Sequence, residues 1–108
     1  MRIEIKVSEN GQQDLKTIWR GLAEYRLEIA DQQIRRIKQK IDMLSKYPLA
    51  GRQRLDLSPV LRSIPVDRLV VLYHIDQKDD LTIVEIDRII DGARDLPRLF
   101  DDSESEEP

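Results

Sequence analysis

Four arginines stand out in the second half of this chain: Arg62 and Arg68 in LRSIPVDRLVVLY, Arg88 and Arg94 in IDRIIDGARDLPRLF. A guanidinium is a planar fork that pairs bidentately with carboxylate or phosphate, so arginines gathered at strand ends suit an anionic or carboxylate-rich partner. Asp56, Asp67, Asp87, Asp91 and Asp95 lie close in sequence, and pairing with these neighbours is the competing use of the same side chains. Cleaving RNA without a metal needs more than cations: a base for the 2′-hydroxyl and an acid for the leaving oxygen. His74, Tyr73, Glu85 and Asp91 are the nearby groups able to move a proton. His74 sits mid-strand between Tyr73 and Ile75 and reads as structural. Glu85 and Asp87 alternate with Ile83 and Ile89 along one strand and read as salt-bridge partners. One histidine and scattered carboxylates offer no His-x-x-x-His or clustered acidic spacing for a metal. No glycine-rich phosphate loop appears, so no cofactor is expected. The pattern predicts a protein that binds and blocks rather than an enzyme.

The elements that position these residues follow from hydrophobic spacing. RIEIKV at 2–7 alternates Ile3, Ile5 and Val7 against Arg2, Glu4 and Lys6, which predicts a half-buried strand. Asn10 with Gln13 resembles a capping box, and Ser8 offers a competing cap. Leu15, Ile18, Trp19, Leu22, Tyr25 and Ile29 then repeat at helical spacing, as do Leu27, Ala30, Ile34, Ile37, Ile41 and Leu44. The centres of the two stripes are rotated by roughly 90° at about 100° per residue, so two helices are expected, broken between Gly21 and Ala30. The second ends before Pro48. RLDL at 54–57 and VLRSI at 60–64 read as short strand pieces, with Pro65 marking an edge or a bulge. RLVVLYHI at 68–75 is apolar on both faces and reads as central; DQKDD at 76–80 is a polar turn, and 81–90 is the next strand. On that strand Arg88 should share a face with Val84 and Ile86, and residues 96–100 should form one helical turn. The expected architecture is α+β, in the order β-α-α-β-β-β: an antiparallel sheet with a helical hairpin packed on one face and a short C-terminal helical turn.

The chain of 108 residues is long enough for one core. It carries no cysteine and no apolar run of membrane-spanning length, so a cytoplasmic location is expected. The net charge of −3 is concentrated at one end, because DDSESEEP at 101–108 holds five acids and no base. Residues 1–100 alone carry 18 bases against 16 acids. They are expected to form the single domain, and residues 101–108 a disordered acidic tail. Arg35, Arg36, Lys38 and Lys40 give the second helix a basic outer side, ordinarily a solvated face.

Taken together, DLKTIW at 14–19, AD…I..I at 30–37, P..GR at 48–52, LRSIPVDRLVVLY at 61–73 and RIIDGARDLPRLF at 88–100 resemble the ParE branch of the RelE/ParE toxin superfamily. The resemblance spans nearly the whole chain in order, without the acidic tail. It implies the toxin half of a bacterial type II toxin–antitoxin pair, non-enzymatic, that inhibits DNA gyrase and is neutralised by a cognate antitoxin in a hetero-oligomer. Operator DNA would be met only through the antitoxin, and no membrane is involved. On this reading Arg62, Arg68, Arg88 and Arg94 make the polar contacts to the target, with Leu99 and Phe100 as an apolar anchor. The RelE branch implies instead a ribosome-dependent mRNA endoribonuclease, for which Arg62, Arg88 and Arg94 are candidate phosphate contacts. A third reading is a non-toxic member that acts only in an autorepressing complex. Many family members carry His where this chain has Asp91, and an anionic side chain there suits RNA phosphate poorly.

Overall fold

The computed structural model describes the backbone of residues 2–105 and the side chains of residues 2–98. Strand β1 (Arg2–Val7) leads into helices α1 (Glu9–Ala23) and α2 (Leu27–Met43). Strands β2 (Arg52–Gln53), β3 (Arg62–Val66), β4 (Leu69–Lys78) and β5 (Leu81–Asp91) follow, and α3 (Gly92–Ser105) ends the described chain. The sheet order is β1-β5-β4-β3-β2. The α+β class and helical hairpin are as expected, with one difference in the sheet: β1 joins β5 in parallel, from Arg2↔Leu81 to Val7↔Ile86. Parallel neighbours need a long crossover, and here both helices and three strands provide it.

Of the two candidate caps, Ser8 is the one used: its Oγ accepts from the Gly11 N–H at 3.0 Å. The helices break at residues 24–26, inside the interval set by the rotated stripes. Ala30, Ile37, Ile41 and Leu44 are buried, and all but Ala30 pack with Ile64, Val66, Val71, Tyr73, Val84, Ile86 and Ile89 in one core cluster. Leu15 and Ile18 of α1 are half-buried against it. Tyr25 does not continue the α1 stripe: it lies in the turn after α1 and is 83 % exposed.

RLDL at 54–57 is not a strand. Arg54 is buried and closes its guanidinium on Asp56 (Nε at 3.0 Å, Nη2 at 2.7 Å), while its carbonyl accepts from Leu57 and Ser58 N–H, so the segment is a turn. The polar stretch 76–80 is mostly strand. β4 pairs to Lys78↔Leu81, and only Asp79–Asp80 turn. Asp67–Arg68 similarly connects β3 to β4, so Arg68 precedes the central strand rather than opening it. The first residue of each two-residue turn is left-handed, Asp67 at φ 56° and Asp79 at φ 55°, a region aspartate tolerates better than bulkier residues.

On β5 the ladder pairs Tyr73 with Ile86 and Leu72 with Arg88, leaving Asp87 as an extra, bulged residue. The bulge shifts parity by one. Ile89, not Arg88, joins Val84 and Ile86 in the core, and the expected face shared by Glu85, Asp87 and Ile89 does not form. Helix α3 runs on to Ser105, beyond the single turn expected and into the acidic segment; residues 106–108 lie outside the described residues.

Candidate target-binding cleft

The site originates in a mismatch of strand lengths. Because β1 ends opposite Ile86, residues 87–91 of β5 have a strand partner on one side only. Buried backbone groups must still be paired, and the start of α1 supplies the partners. Ser8 N donates to Ile86 O at 3.0 Å, Ser8 Oγ donates to Asp87 O at 3.0 Å, and the Asp14 carboxylate accepts from Ile89 N at 2.9 Å. The same carboxylate takes both arms of Arg88, Nε at 2.7 Å and Nη2 at 3.2 Å. This hydrogen-bonded pairing raises the Arg88 pKa.

Where β5 gives way to α3, Asp91 is a helix cap. Its Oδ1 accepts from Arg94 N at 3.0 Å, and Asp95 Oδ2 accepts from Asp91 N at 3.2 Å, a reciprocal closure like a capping box. Arg94 lays Nε and Nη2 on Asp95 at 3.0 and 3.2 Å, and that fork holds the Asp95 carboxyl below the usual carboxylate range. Arg68, its side chain 88 % exposed, stands 3.9 Å from Asp91.

Arg68, Arg88 and Arg94 therefore converge on one cleft of about 580 Å³ between α1, the end of β5 and the start of α3. Its apolar lining comes from Ile18, Leu22, Leu69, Ile89 and Ile90. Four carboxylates, Asp14, Asp67, Asp91 and Asp95, line it with the three arginines, so the cleft is close to neutral. Leu99 and Phe100 belong to α3, but their side chains lie outside the described residues.

Arg62 is not brought to the cleft. It faces Tyr73 across β3 and β4, and its Nη1 donates to the carbonyls of Gly51 at 2.8 Å and Leu49 at 3.4 Å. Tyr73 Oη donates to Pro48 O and accepts from Gly51 N, both at 2.8 Å, and burial pushes its phenol pKa up. Arg62 and Tyr73 thus fasten the P..GR segment at 48–52.

Two features escaped sequence reasoning. His74, on the strand face opposite Tyr73, holds Asp87 Oδ2 at 2.7 Å through Nδ1 and stands 4.0 Å from Glu85 through Nε2. A two-residue turn at Asp79–Asp80 implies His74↔Glu85 pairing, so the register would have revealed this cluster had the turn been recognised. The second feature is a groove of about 520 Å³ on the helical hairpin, floored by Leu15, Trp19 and Ile34 and rimmed by Lys16, Arg20 and Lys38. Trp19 Nε1 donates to Asp31 across the hairpin at 2.9 Å, which makes the ring part of the groove wall.

Comparison with known proteins agrees along most of the chain. Residues 5–96 match the family model described as the ParE toxin of type II toxin-antitoxin system, parDE. Toxin ParE3 of Caulobacter vibrioides is 37% identical over 84 residues, covering 77% of this chain and 80% of its own length. A solved structure described as the chromosomal ParDE TA system from P. aeruginosa superposes with a TM-score of 0.71, covering 83% of this chain and 96% of that one. Its identity of 17% makes that likeness one of fold.

Proposed function

The chain belongs to the ParE toxin family of type II toxin–antitoxin systems, and from that premise we propose that it acts by occupying a surface of DNA gyrase rather than by cutting nucleic acid. The near neutrality of the cleft carries this reading. A phosphate site leaves its guanidinium groups free for the anion, whereas here Arg88 and Arg94 are each engaged by a carboxylate of the same cleft. An apolar lining with paired charges at the rim is the composition of a protein–protein interface. The histidine lies six residues from Arg68 along β4, roughly 20 Å at about 3.4 Å per residue, and its imidazole is already engaged by Asp87. Asp91 is committed to capping α3.

Arg68 and Arg94 make the polar contacts in this proposal, with Leu99 and Phe100 as the apolar anchor. Arg88 holds the cleft in shape, and Arg62 acts indirectly through the 48–52 segment. A cognate antitoxin covers the hairpin groove, whose basic rim suits the acidic face of an amphipathic helix. Operator DNA is met only through that antitoxin, and the working compartment is the cytoplasm, where gyrase is found. No helix of the described residues is long and apolar enough to cross a membrane.

The test is supercoiling of relaxed plasmid by purified gyrase with the protein added, beside a ribosome-programmed mRNA cleavage assay. Supercoiling should be lost with mRNA intact. Arg68→Ala combined with Arg94→Ala should restore supercoiling without moving the thermal midpoint. Cleaved mRNA with unaffected gyrase would replace this reading with the endoribonuclease one, and failure of both would favour a member acting only in an antitoxin complex.

A further inference from the structure

The one histidine of the chain takes no part in the cleft or in the hairpin groove. It is half-buried between two carboxylates with distinct geometric roles. Asp87, unpaired in the ladder because of the bulge, accepts from Nδ1 at 2.7 Å. A carboxylate partner keeps the proton on Nδ1 of the neutral ring, so the lone pair is on Nε2. That nitrogen stands 4.0 Å from Glu85 Oε2, the cross-strand neighbour. Protein metal sites commonly orient a ligating imidazole in this way, with a carboxylate behind one nitrogen and the ion on the other.

We propose that His74 Nε2 and Glu85, with Asp87 held behind the imidazole, bind one divalent transition-metal ion of the zinc or nickel class. Donor atoms from the three residues lie within 4.8 Å of one another. Tetrahedral coordination at about 2.0–2.2 Å needs the two donors about 3.3–3.6 Å apart, so rotation of the Glu85 side chain must close the 4.0 Å gap by about half an ångström, and water completes the coordination. An imidazole nitrogen selects zinc, nickel, cobalt or copper over magnesium and calcium, which take oxygen donors. The surrounding charge favours a cation: Asp76 on β4 joins Glu85 and Asp87 in the field at the ring. The nearest strand on the other side offers Lys6, exposed and paired in the ladder with Glu85, but it makes no ion pair with Glu85 or Asp87 among the described residues. Protons compete for Nε2, so binding should weaken as pH falls through the His74 pKa. The site is separate from the gyrase-directed cleft, and each proposal stands without the other.

The experiment is a zinc titration of the full chain, free of any affinity tag, followed by the imidazole ¹⁵N and ring-proton NMR signals. These have a single source. A saturable one-to-one change centred on Nε2, absent with magnesium, is the expected result. Glu85→Gln and Asp87→Asn should each weaken binding by about 10–100-fold, with the amide spectrum confirming that each variant is folded. Ring signals unmoved by excess zinc in the folded wild-type protein would overturn the proposal, as would a zinc response unchanged in folded Glu85→Gln.

Discussion

Replacing Asp14 with alanine should cost more stability than removing any arginine it holds. Its carboxylate accepts three hydrogen bonds, two from Arg88 and one from the N–H of Ile89, a residue only 2 % exposed. A buried N–H left without a partner costs about 1–3 kcal/mol. The Arg88 side chain is 41% exposed and regains water when released, so the lost ion pair adds at most about 1 kcal/mol. The expected total is about 1–4 kcal/mol, on the order of 5–25 °C in thermal midpoint for a domain near this size. Asp14→Asn retains an acceptor for Ile89 and should lose only about 1 kcal/mol; Arg88→Ala should also lose about 1 kcal/mol. Urea unfolding followed by the fluorescence of Trp19, the sole tryptophan, measures all three. If Asp14→Ala and Asp14→Asn were equal, or if Arg88→Ala cost more than Asp14→Ala, the backbone N–H would not be the main recipient and the reasoning would fail. The ranking matters for function, because a loss of gyrase inhibition in Arg88→Ala must be corrected for folding, whereas one in Arg68→Ala need not be.

Tyr73→Phe removes the hydroxyl joining Pro48 O to Gly51 N and should cost about 1–3 kcal/mol in the same urea assay. Gly51→Ala should also destabilise, since its Cβ would come 2.5 Å from Tyr73 Oη and 2.6 Å from the ring. Asp91→Ala should cost about 0.5–2 kcal/mol through loss of the α3 cap, seen as faster amide exchange in that helix, while Asp91→Asn should be close to neutral. The hydrogen bond that His74 donates to Asp87 raises the His74 pKa in the folded state. The resulting stabilisation is full below the unfolded value of about 6.5 and is lost as pH rises through the folded value. Metal-free wild type should therefore lose stability over that window relative to His74→Gln. A flat difference between the two across the window would refute the pairing.

Much of the scaffold was legible because it rests on periodicity. The rotation between the Leu15–Leu22 and Ala30–Leu44 stripes demanded a break, and the break lies at residues 24–26. What periodicity lacks is information about partners. Nothing in RIEIKV specifies that β1 lies parallel to β5, because alternation marks a buried face without naming the neighbouring strand. Nor does it reveal a bulge: one extra residue at Asp87 sent Ile89 into the core in place of Arg88. Nor does spacing single out Asp14, since the unpaired edge it closes is a consequence of unequal strand lengths.

The arginines show the same limit and give it a functional meaning. Their chemistry was legible from residue type, but whether a guanidinium is available depends on where its carboxylate lies. For Arg94 that carboxylate is the next residue, whereas for Arg88 it is 74 residues away, on another element. Counting bases near the strand ends therefore suggested an anion site, although the folded cleft holds one more carboxylate than arginine. Arg68 is the cation of the three with least engagement, 3.9 Å from Asp91 and largely in solvent. It costs least to desolvate from an existing partner and so has most to gain from a new one. If this cleft recognises a protein, Arg68 should dominate the polar part of binding, with Arg94 second and Arg88 contributing mainly through the shape that its pairing with Asp14 preserves.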